Sequence, residues 1–115
     1  IYTLSLHDAL PIYYRALGRR HAQAVLAPSE KALSHLDGKD IAIIDPPRAG
    51  LHADVVEKLL QTKPEKIIYL SCNPVTQARD IALLTQSYTL TETRGYNFFP
   101  RTPHIETACL LTLSQ

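Results

Sequence analysis

Cys72 lies at a position where nucleophilic chemistry is favoured. The apolar run Ile67 to Leu70 predicts a buried strand, and Asn73-Pro74 predicts a helix start, because Asn is a favoured N-cap and Pro is tolerated at the first helical position. Ligands bind at the carboxyl ends of strands in open α/β sheets, and the positive end of a helix stabilises a thiolate, the attacking form of cysteine. A buried, inert cysteine is the competing interpretation.

Asp45 is expected to share this edge of the sheet with Cys72. The run Ile41 to Ile44 predicts a second buried strand, and Asp45 follows it directly, before two prolines that fix the backbone. Right-handed crossovers bring the carboxyl ends of parallel strands to one edge, so the Asp45 carboxylate is expected near Cys72. Without that cysteine nearby, a rigid turn would be the favoured interpretation of Asp-Pro-Pro.

Glu106 offers a second carboxylate, at the entrance of the last predicted strand. It belongs to the segment Pro103-His-Ile-Glu-Thr107. A glutamate at a strand entrance is more often a solvated surface residue, and His104 is more often a loop residue than a ligand. A metal site is not indicated, because Cys72 and Cys109 lack partners at a metal-ligand spacing.

Alternating strands and helices position these residues. Predicted strands cover 41–44, 67–70, 88–93 and 107–113, and predicted helices cover 53–62 and 74–86. The apolar residues of the second helix that are expected to face the core are Val75, Ala78, Ile81 and Ala82. This order predicts an α/β fold whose mostly parallel sheet is closed by an antiparallel edge pair.

Composition narrows the class of protein. The chain has 115 residues, 45% of them hydrophobic, and a net charge of +1, which by itself makes no case for nucleic acid as a partner. Two cysteines without a signal-like segment favour a reducing, cytoplasmic setting. No apolar run approaches the length that a membrane span requires.

Three segments together resemble a known family. Read in order, they are Ile44-Asp-Pro-Pro-Arg-Ala-Gly-Leu51, Tyr69-Leu-Ser-Cys-Asn-Pro-Val-Thr-Gln-Ala-Arg-Asp80 and Phe99-Pro-Arg-Thr-Pro-His-Ile-Glu-Thr107. They resemble the carboxyl-terminal catalytic segments of the RNA (uracil-5-)-methyltransferases. The resemblance implies a Rossmann-like sheet, S-adenosyl-L-methionine as cofactor, and methylation of carbon 5 of uridine in tRNA or rRNA. Neither a membrane nor an obligate protein partner is indicated.

The resemblance also implies a role for each candidate residue. Cys72 matches the family nucleophile, Glu106 matches the base that removes a proton, and Asp45 matches a residue of the cofactor site. The chain departs from the family in the loop before Glu106, where Asn97 and Arg101 stand in place of the more usual Asp and His.

The resemblance predicts that part of the enzyme lies outside this sequence. Residues 1–14 resemble a translated sequencing adapter and are predicted to be non-native, and the chain contains no Met. Residues 15–115 are then predicted to be the carboxyl-terminal portion of a methyltransferase catalytic domain, with a sheet incomplete on its amino-terminal side. A glycine-rich cofactor loop and an RNA-binding portion are expected upstream, so the chain alone is expected to be inactive.

Two alternatives remain open. Another Rossmann-like methyltransferase could carry Asp-Pro-Pro without a nucleophile, as in methylation of a base amine, although an aromatic residue would then be expected where Arg48 stands. The other alternative is a non-catalytic α/β binding module in which Cys72 is inert.

Overall fold

The computed structural model describes residues 2–3 and 31–115, which form one mixed sheet with helical connections. The strands are β1 (Tyr2–Thr3), β2 (Ile41–Ile44), β3 (Lys66–Ser71), β4 (Tyr88–Tyr96) and β5 (Glu106–Leu113). The helices are a 3-10 helix (Leu33–Leu36) and two α-helices, α1 (Ala53–Thr62) and α2 (Pro74–Leu84). The strand order is β1-β2-β3-β5-β4. The prediction that residues 1–14 are non-native concerns mostly residues outside the described ranges and stays a prediction.

The parallel strands β2 and β3 form as the sequence predicts. They pair from Ile41 opposite Lys66 to Ile44 opposite Tyr69, so both strands end at the same edge of the sheet. Alternate side chains are buried along each strand, including Ala42 on β2 and Ile67 on β3. This pairing confirms that the carboxyl ends of the two predicted strands lie together.

Helix α1 connects β2 to β3 and has the predicted bounds. The imidazole of His52 caps its start by accepting a hydrogen bond from the Asp54 amide at 3.3 Å. Lys63, in a left-handed conformation with φ of 48°, ends it. Val55, Val56 and Leu59 form its buried face. The apolar residues at helical spacing therefore face the core.

Helix α2 begins where predicted, but its buried face is different. The predicted inward positions Val75, Ala78 and Ala82 are exposed, with Val75 at 77%, and only Ile81 is buried. The buried face instead consists of Gln77, Asp80, Ile81 and Leu84. The prediction of the inward face was therefore wrong at three positions. It assigned the core from apolar residues alone, whereas polar side chains can be buried where hydrogen bonds satisfy them.

An antiparallel pair completes the sheet, as predicted, with β5 inserted between β3 and β4. Register runs from Lys66 opposite Thr112 to Ser71 opposite Thr107, and β4 pairs with the other side of β5. Strand β4 extends to Tyr96, three residues beyond its predicted end, and only its first residue, Tyr88, is buried. The connection from β4 to β5 is therefore a loop over residues 97–105.

The core lies between the sheet and the helices. Its buried members are Leu36, Ala42, Ile44, Val55, Val56, Leu59, Ile67, Tyr69, Ile81, Leu84, Tyr88, Cys109 and Leu111. Tyr88 donates a hydrogen bond to the Pro64 carbonyl oxygen at 2.9 Å, and burial raises its pKa to about 12. Among the described residues, no helix is long and apolar enough to span a bilayer.

Candidate active site

Cys72 lies in a tight, hydrogen-bonded turn between β3 and α2. The hydroxyl of buried Ser71 accepts from the Asn73 amide and donates to the Asn73 carbonyl, both at 3.0 Å, so it bridges the backbone on either side of the cysteine. The Asn73 side chain caps α2 by accepting from the Val75 amide at 3.2 Å. Pro74 occupies the first turn. The cysteine is a free thiol and is half-buried as a residue.

Glu106 reaches the same place from β5. Thr107 lies opposite Ser71 in the antiparallel ladder, and one step further along both strands come Cys72 and Glu106. Tyr96, the last residue of β4, pairs with Glu106 from the other side. Glu106 itself is half-buried.

A buried polar connection lies directly beneath this end of the sheet. The Thr107 hydroxyl is 2.6 Å from Gln77 Oε1 and 3.2 Å from the Ser71 carbonyl oxygen. The Gln77 amide nitrogen donates to the Tyr69 carbonyl at 2.9 Å, and the Gln77 side chain is 3% exposed. The strand that carries Glu106 is thereby fixed to α2 and to the strand that precedes Cys72.

Asp45 lies at the carboxyl end of β2, at the edge where β3 also ends. Ile44 pairs with Tyr69, so Asp45 follows the last paired position of β2 and Cys72 lies three residues beyond Tyr69 on the neighbouring strand. Asp45 is exposed as a residue, but partial desolvation of its carboxyl still raises the pKa above the ordinary value of 3.8. Among the described residues no hydrogen bond offsets that desolvation, so this carboxylate is available to a ligand.

The loop that follows Asp45 is attached to the first turn of α2. The Arg48 carbonyl oxygen accepts hydrogen bonds from Asn73 Nδ2 and from Thr76 Oγ1, each at 3.0 Å. The Arg48 guanidinium lies 3.4 Å from His104 Nδ1. Segments 45–48, 71–73 and 104–106 are therefore brought together around one edge of the sheet.

Asp80 anchors the far end of this loop. Its carboxylate accepts hydrogen bonds from the Leu51 amide and the Tyr69 hydroxyl, both at 2.7 Å, while Arg79 donates to it at 2.7 and 2.9 Å. Burial and the hydrogen bond to Asp80 raise the pKa of the Tyr69 phenol. Gly50 fits against the pair with φ of 86°, and a Cβ there would lie 2.6 Å from both Arg79 and Asp80.

Cys72, Glu106 and Asp45, the three residues selected from the sequence, each lie at or next to a strand end at one edge of the sheet. His104, which the sequence favoured as a loop residue, does lie in a loop and contacts Arg48. The supporting residues Gln77 and Asp80 were missed. No local pattern signals them, because their burial depends on hydrogen bonds to Leu51, Tyr69 and Thr107, which are distant in the sequence.

Comparison with known proteins places these features in a family. The sequence model of the tRNA (uracil-5-)-methyltransferases matches residues 30–114. An uncharacterized RNA methyltransferase of Nitratidesulfovibrio vulgaris is 49% identical over 90 residues, which are 78% of this chain and 19% of that protein. One from Enterococcus faecalis is 51% identical over 74 residues, 64% of this chain and 16% of that protein.

A solved structure agrees with these sequence comparisons. The crystal structure of the Pyrococcus abyssi tRNA (uracil-54, C5)-methyltransferase in complex with S-adenosyl-L-homocysteine has a TM-score of 0.62 and 46% identity, covering 66% of this chain and 19% of that one. This chain thus spans about a fifth of the length of these relatives. The family match extends over both candidate catalytic residues and the Asp45 loop, and the chain belongs to the tRNA (uracil-5-)-methyltransferase family.

Proposed function

We propose that this chain supplies the nucleophile and the base for methyl transfer from S-adenosyl-L-methionine to carbon 5 of a uridine in tRNA or rRNA. The observation that carries the proposal is the register of β3 and β5, in which Ser71 lies opposite Thr107 as the last pair. Cys72 follows that pair on one side and Glu106 precedes it on the other. In this reading the sheet is the carboxyl-terminal part of a Rossmann-like catalytic domain.

Cys72 is needed because carbon 5 of uracil is a weak nucleophile. The Cys72 thiolate forms a bond to carbon 6 of the ring, and the electron pair of the 5,6 double bond moves to give an enolate. Carbon 5 of this enolate then takes the methyl group. When bound, S-adenosyl-L-methionine would supply that methyl group from its sulfonium; the methyl–sulfur bond would break and the neutral thioether S-adenosyl-L-homocysteine would leave. Formation of a covalent adduct replaces one difficult step with two easier ones.

Glu106 completes the reaction by removing the proton from carbon 5. The electron pair of that C–H bond restores the 5,6 double bond, and the bond between carbon 6 and the sulfur of Cys72 breaks, which regenerates the thiolate. Proton transfer to a positioned carboxylate contributes typically about 10²- to 10⁴-fold. Because β3, β5 and α2 are joined through Gln77 and Thr107, the base and the nucleophile are held in a fixed relation.

Asp45 is the residue proposed to hold the cofactor. Its carboxyl group is partly desolvated and has no hydrogen-bond donor among residues 31–115, so a hydroxyl or ammonium group of the cofactor would fit there as a donor. The 2.7 Å bond from Leu51 to Asp80 fixes the loop that leads away from it. One carboxylate does not make a complete cofactor site. We therefore predict that the 115-residue chain is inactive by itself.

The surface beside Glu106 suits an RNA substrate. The rings of Tyr96 and Phe98 are stacked with centroids 5.4 Å apart and planes within 7°, and Phe98 is 66% exposed. Unstacked bases of RNA loops bind to exposed aromatic rings, and a target base must leave its stack to reach a nucleophile. The cytoplasm is the proposed compartment, because Cys72 and Cys109 are both free thiols.

A chimera tests the proposed function. In the Pyrococcus abyssi enzyme, the segment similar to this chain is replaced by the matching residues of this chain; we refer to this protein as the chimera. It is mixed with S-adenosyl-L-methionine and tRNA containing 5-fluorouridine, whose carbon 5 carries no removable proton. We expect a protein–RNA adduct that survives denaturing electrophoresis. Cys109→Ser should retain the adduct, since Cys109 is buried within β5.

The other outcomes separate the alternatives. Methyl transfer by the chimera without any adduct would favour a methyltransferase that does not use a nucleophile. Cofactor binding by the chimera without methyl transfer would contradict the proposed catalytic roles of both Cys72 and Glu106. Absence of both cofactor binding and methyl transfer would favour the non-catalytic binding module.

A further inference from the structure

Asp80 is a buried carboxylate to which the reaction gives no task. It is 1% exposed, and the other buried polar side chains among the described residues, Ser71 and Gln77, are uncharged. Burying a carboxylate is costly unless hydrogen bonds and an opposite charge compensate it. Here Tyr69, Leu51 and Arg79 supply both, so β3 and the loop before α1 converge on one side chain of α2, beside its neighbour Arg79.

The contacts of Asp80 act on the loop over residues 45–51 rather than on the core alone. The Leu51 amide donates to the Asp80 carboxylate at 2.7 Å, and Arg79 reaches past the carboxylate to donate to the Ala49 carbonyl at 3.0 Å. Gly50 passes between these two contacts with no room for a Cβ atom. The backbone of the loop is therefore fixed from both sides at its far end.

The near end of the loop carries Asp45, and little flexibility separates the two ends. Pro46 and Pro47 have fixed φ angles, and the Arg48 carbonyl is bound by the side chains of Asn73 and Thr76. Both donors follow Cys72 in the sequence, at the start of α2. A displacement of the loop at Gly50 would therefore be transmitted along a stiff segment toward Asp45.

We infer that Asp80 is a positioning residue, which, together with Arg79 and Gly50, sets the affinity for the cofactor by holding the Asp45 loop in register with the Cys72 turn. The inference rests on the proposed role of Asp45 in the cofactor site. Asp80 touches neither the reacting base nor the cysteine, so its effect should fall on cofactor binding and spare RNA binding.

The test uses Asp80→Asn in the chimera. The amide keeps the size of the side chain and can still accept from the Leu51 amide, but it removes the charge that holds Arg79. We expect the dissociation constant for S-adenosyl-L-homocysteine, measured by calorimetry, to rise about 10- to 100-fold, the range for a displacement transmitted to a site from a distance. The KM for tRNA should change less than about twofold.

Gly50→Ala provides an independent route to the same effect. Its Cβ would collide with the Arg79 and Asp80 side chains and its φ of 86° is unfavourable for alanine, so the loop must move. If both residues act through one unit, the double variant should weaken cofactor binding no more than the stronger single variant does. Tyr69→Phe removes only one donor to Asp80 and should weaken cofactor binding less. It replaces Asp80→Asn in the test if that variant does not fold.

Glu57→Gln on the exposed face of α1 is the matched control and should leave both affinities unchanged. Unaltered cofactor affinity in folded Asp80→Asn or Gly50→Ala would overturn the inference, as would an equal loss of cofactor and RNA affinity. Additive effects in the double variant would also overturn it. Calorimetry needs no turnover, so this result is distinct from failure of Cys72 to form an adduct.

Discussion

Thr107 of β5 lies opposite Ser71 of β3, and its hydroxyl is 3.2 Å from the Ser71 carbonyl oxygen. This pair is the last one in the ladder between the two strands. Cys72 directly follows the end of β3, and the residue before Thr107 on β5 is Glu106. The proposed nucleophile and base thus extend a well-fixed antiparallel pair, although they are far apart in the sequence.

From this relationship we predict separable roles for Cys72 and Glu106. In the chimera, Cys72→Ala should abolish the adduct with 5-fluorouridine tRNA, because no carbon–sulfur bond can form. Glu106→Gln should still form an adduct on ordinary tRNA but release it slowly, since removal of the carbon 5 proton is impaired. Its turnover should fall by about 10²-fold or more. Denaturing electrophoresis and tritium release from carbon 5 measure the two steps.

Two results would contradict these roles. An adduct with the Cys72→Ala protein would assign the nucleophile to another residue. Normal turnover by Glu106→Gln would exclude Glu106 as the base. Glu92→Gln, on the exposed part of β4, is the control for loss of a carboxylate and should behave as the parent does.

Thr107→Val should weaken the support beneath the site. The change keeps the shape of the side chain but leaves Gln77 Oε1 without its 2.6 Å partner in a buried position. An unsatisfied buried acceptor costs about 1–3 kcal/mol of unfolding free energy. Urea denaturation of the chain measures the loss. Thr112→Val is the control, at a half-buried position of the same strand where the hydroxyl makes only an exposed 3.4 Å contact. It should cost less than about 0.5 kcal/mol of unfolding free energy. A loss equal to that of Thr107→Val would contradict the argument.

The sequence predicts the strands and the proposed site better than it predicts the support beneath them. Apolar runs, Asn73-Pro74 and Pro64 mark local starts and ends of elements, and the bounds of β2 and α1 agree with the structure. The inward face of α2 could not be read in the same way. Its burial depends on Tyr69, Leu51 and other distant partners, which local periodicity does not reveal.

The insertion of β5 between β3 and β4 is a second feature that the sequence leaves open. Alternation and turn residues predict an antiparallel pair, but either of the two strands could adjoin β3. Only the pairing of Ser71 with Thr107 decides it. This choice brings Glu106 beside Cys72, whereas the reverse order would have moved it one strand away.

Phe98→Ala is predicted to weaken RNA binding specifically. The substitution removes the exposed ring that stacks on Tyr96, and loss of one base–aromatic stack typically costs about 1–3 kcal/mol of binding free energy. In the chimera the KM for tRNA should rise about 5- to 100-fold, while affinity for S-adenosyl-L-homocysteine stays unchanged. Phe98→Tyr, which keeps an aromatic ring, should restore most of the RNA affinity. Equal losses with both variants would argue against stacking.

Asp45→Asn should have opposite effects on stability and on cofactor binding. Burial raises the pKa of Asp45 above 3.8 in the folded chain, so the folded state binds the proton more tightly than the unfolded state does. The unfolding free energy that this carboxyl contributes therefore falls as pH rises from 3.8 through the folded pKa, and stays lower above it. Asn cannot ionise, so the Asp45→Asn variant does not lose unfolding free energy in this way as pH rises.

Relative to the parent chain, Asp45→Asn should therefore gain stability between pH 3 and pH 7. Urea denaturation at the two pH values measures the difference, and carbon-13 NMR of the Asp45 carboxyl gives its titration midpoint directly. A midpoint at or below 3.8, or a variant that loses stability relative to the parent as pH rises, would contradict the assignment. In the chimera the same variant should bind S-adenosyl-L-homocysteine more weakly at pH 7, because the acceptor charge is gone. A carboxylate that destabilises the fold and is retained for its ligand would account for both results.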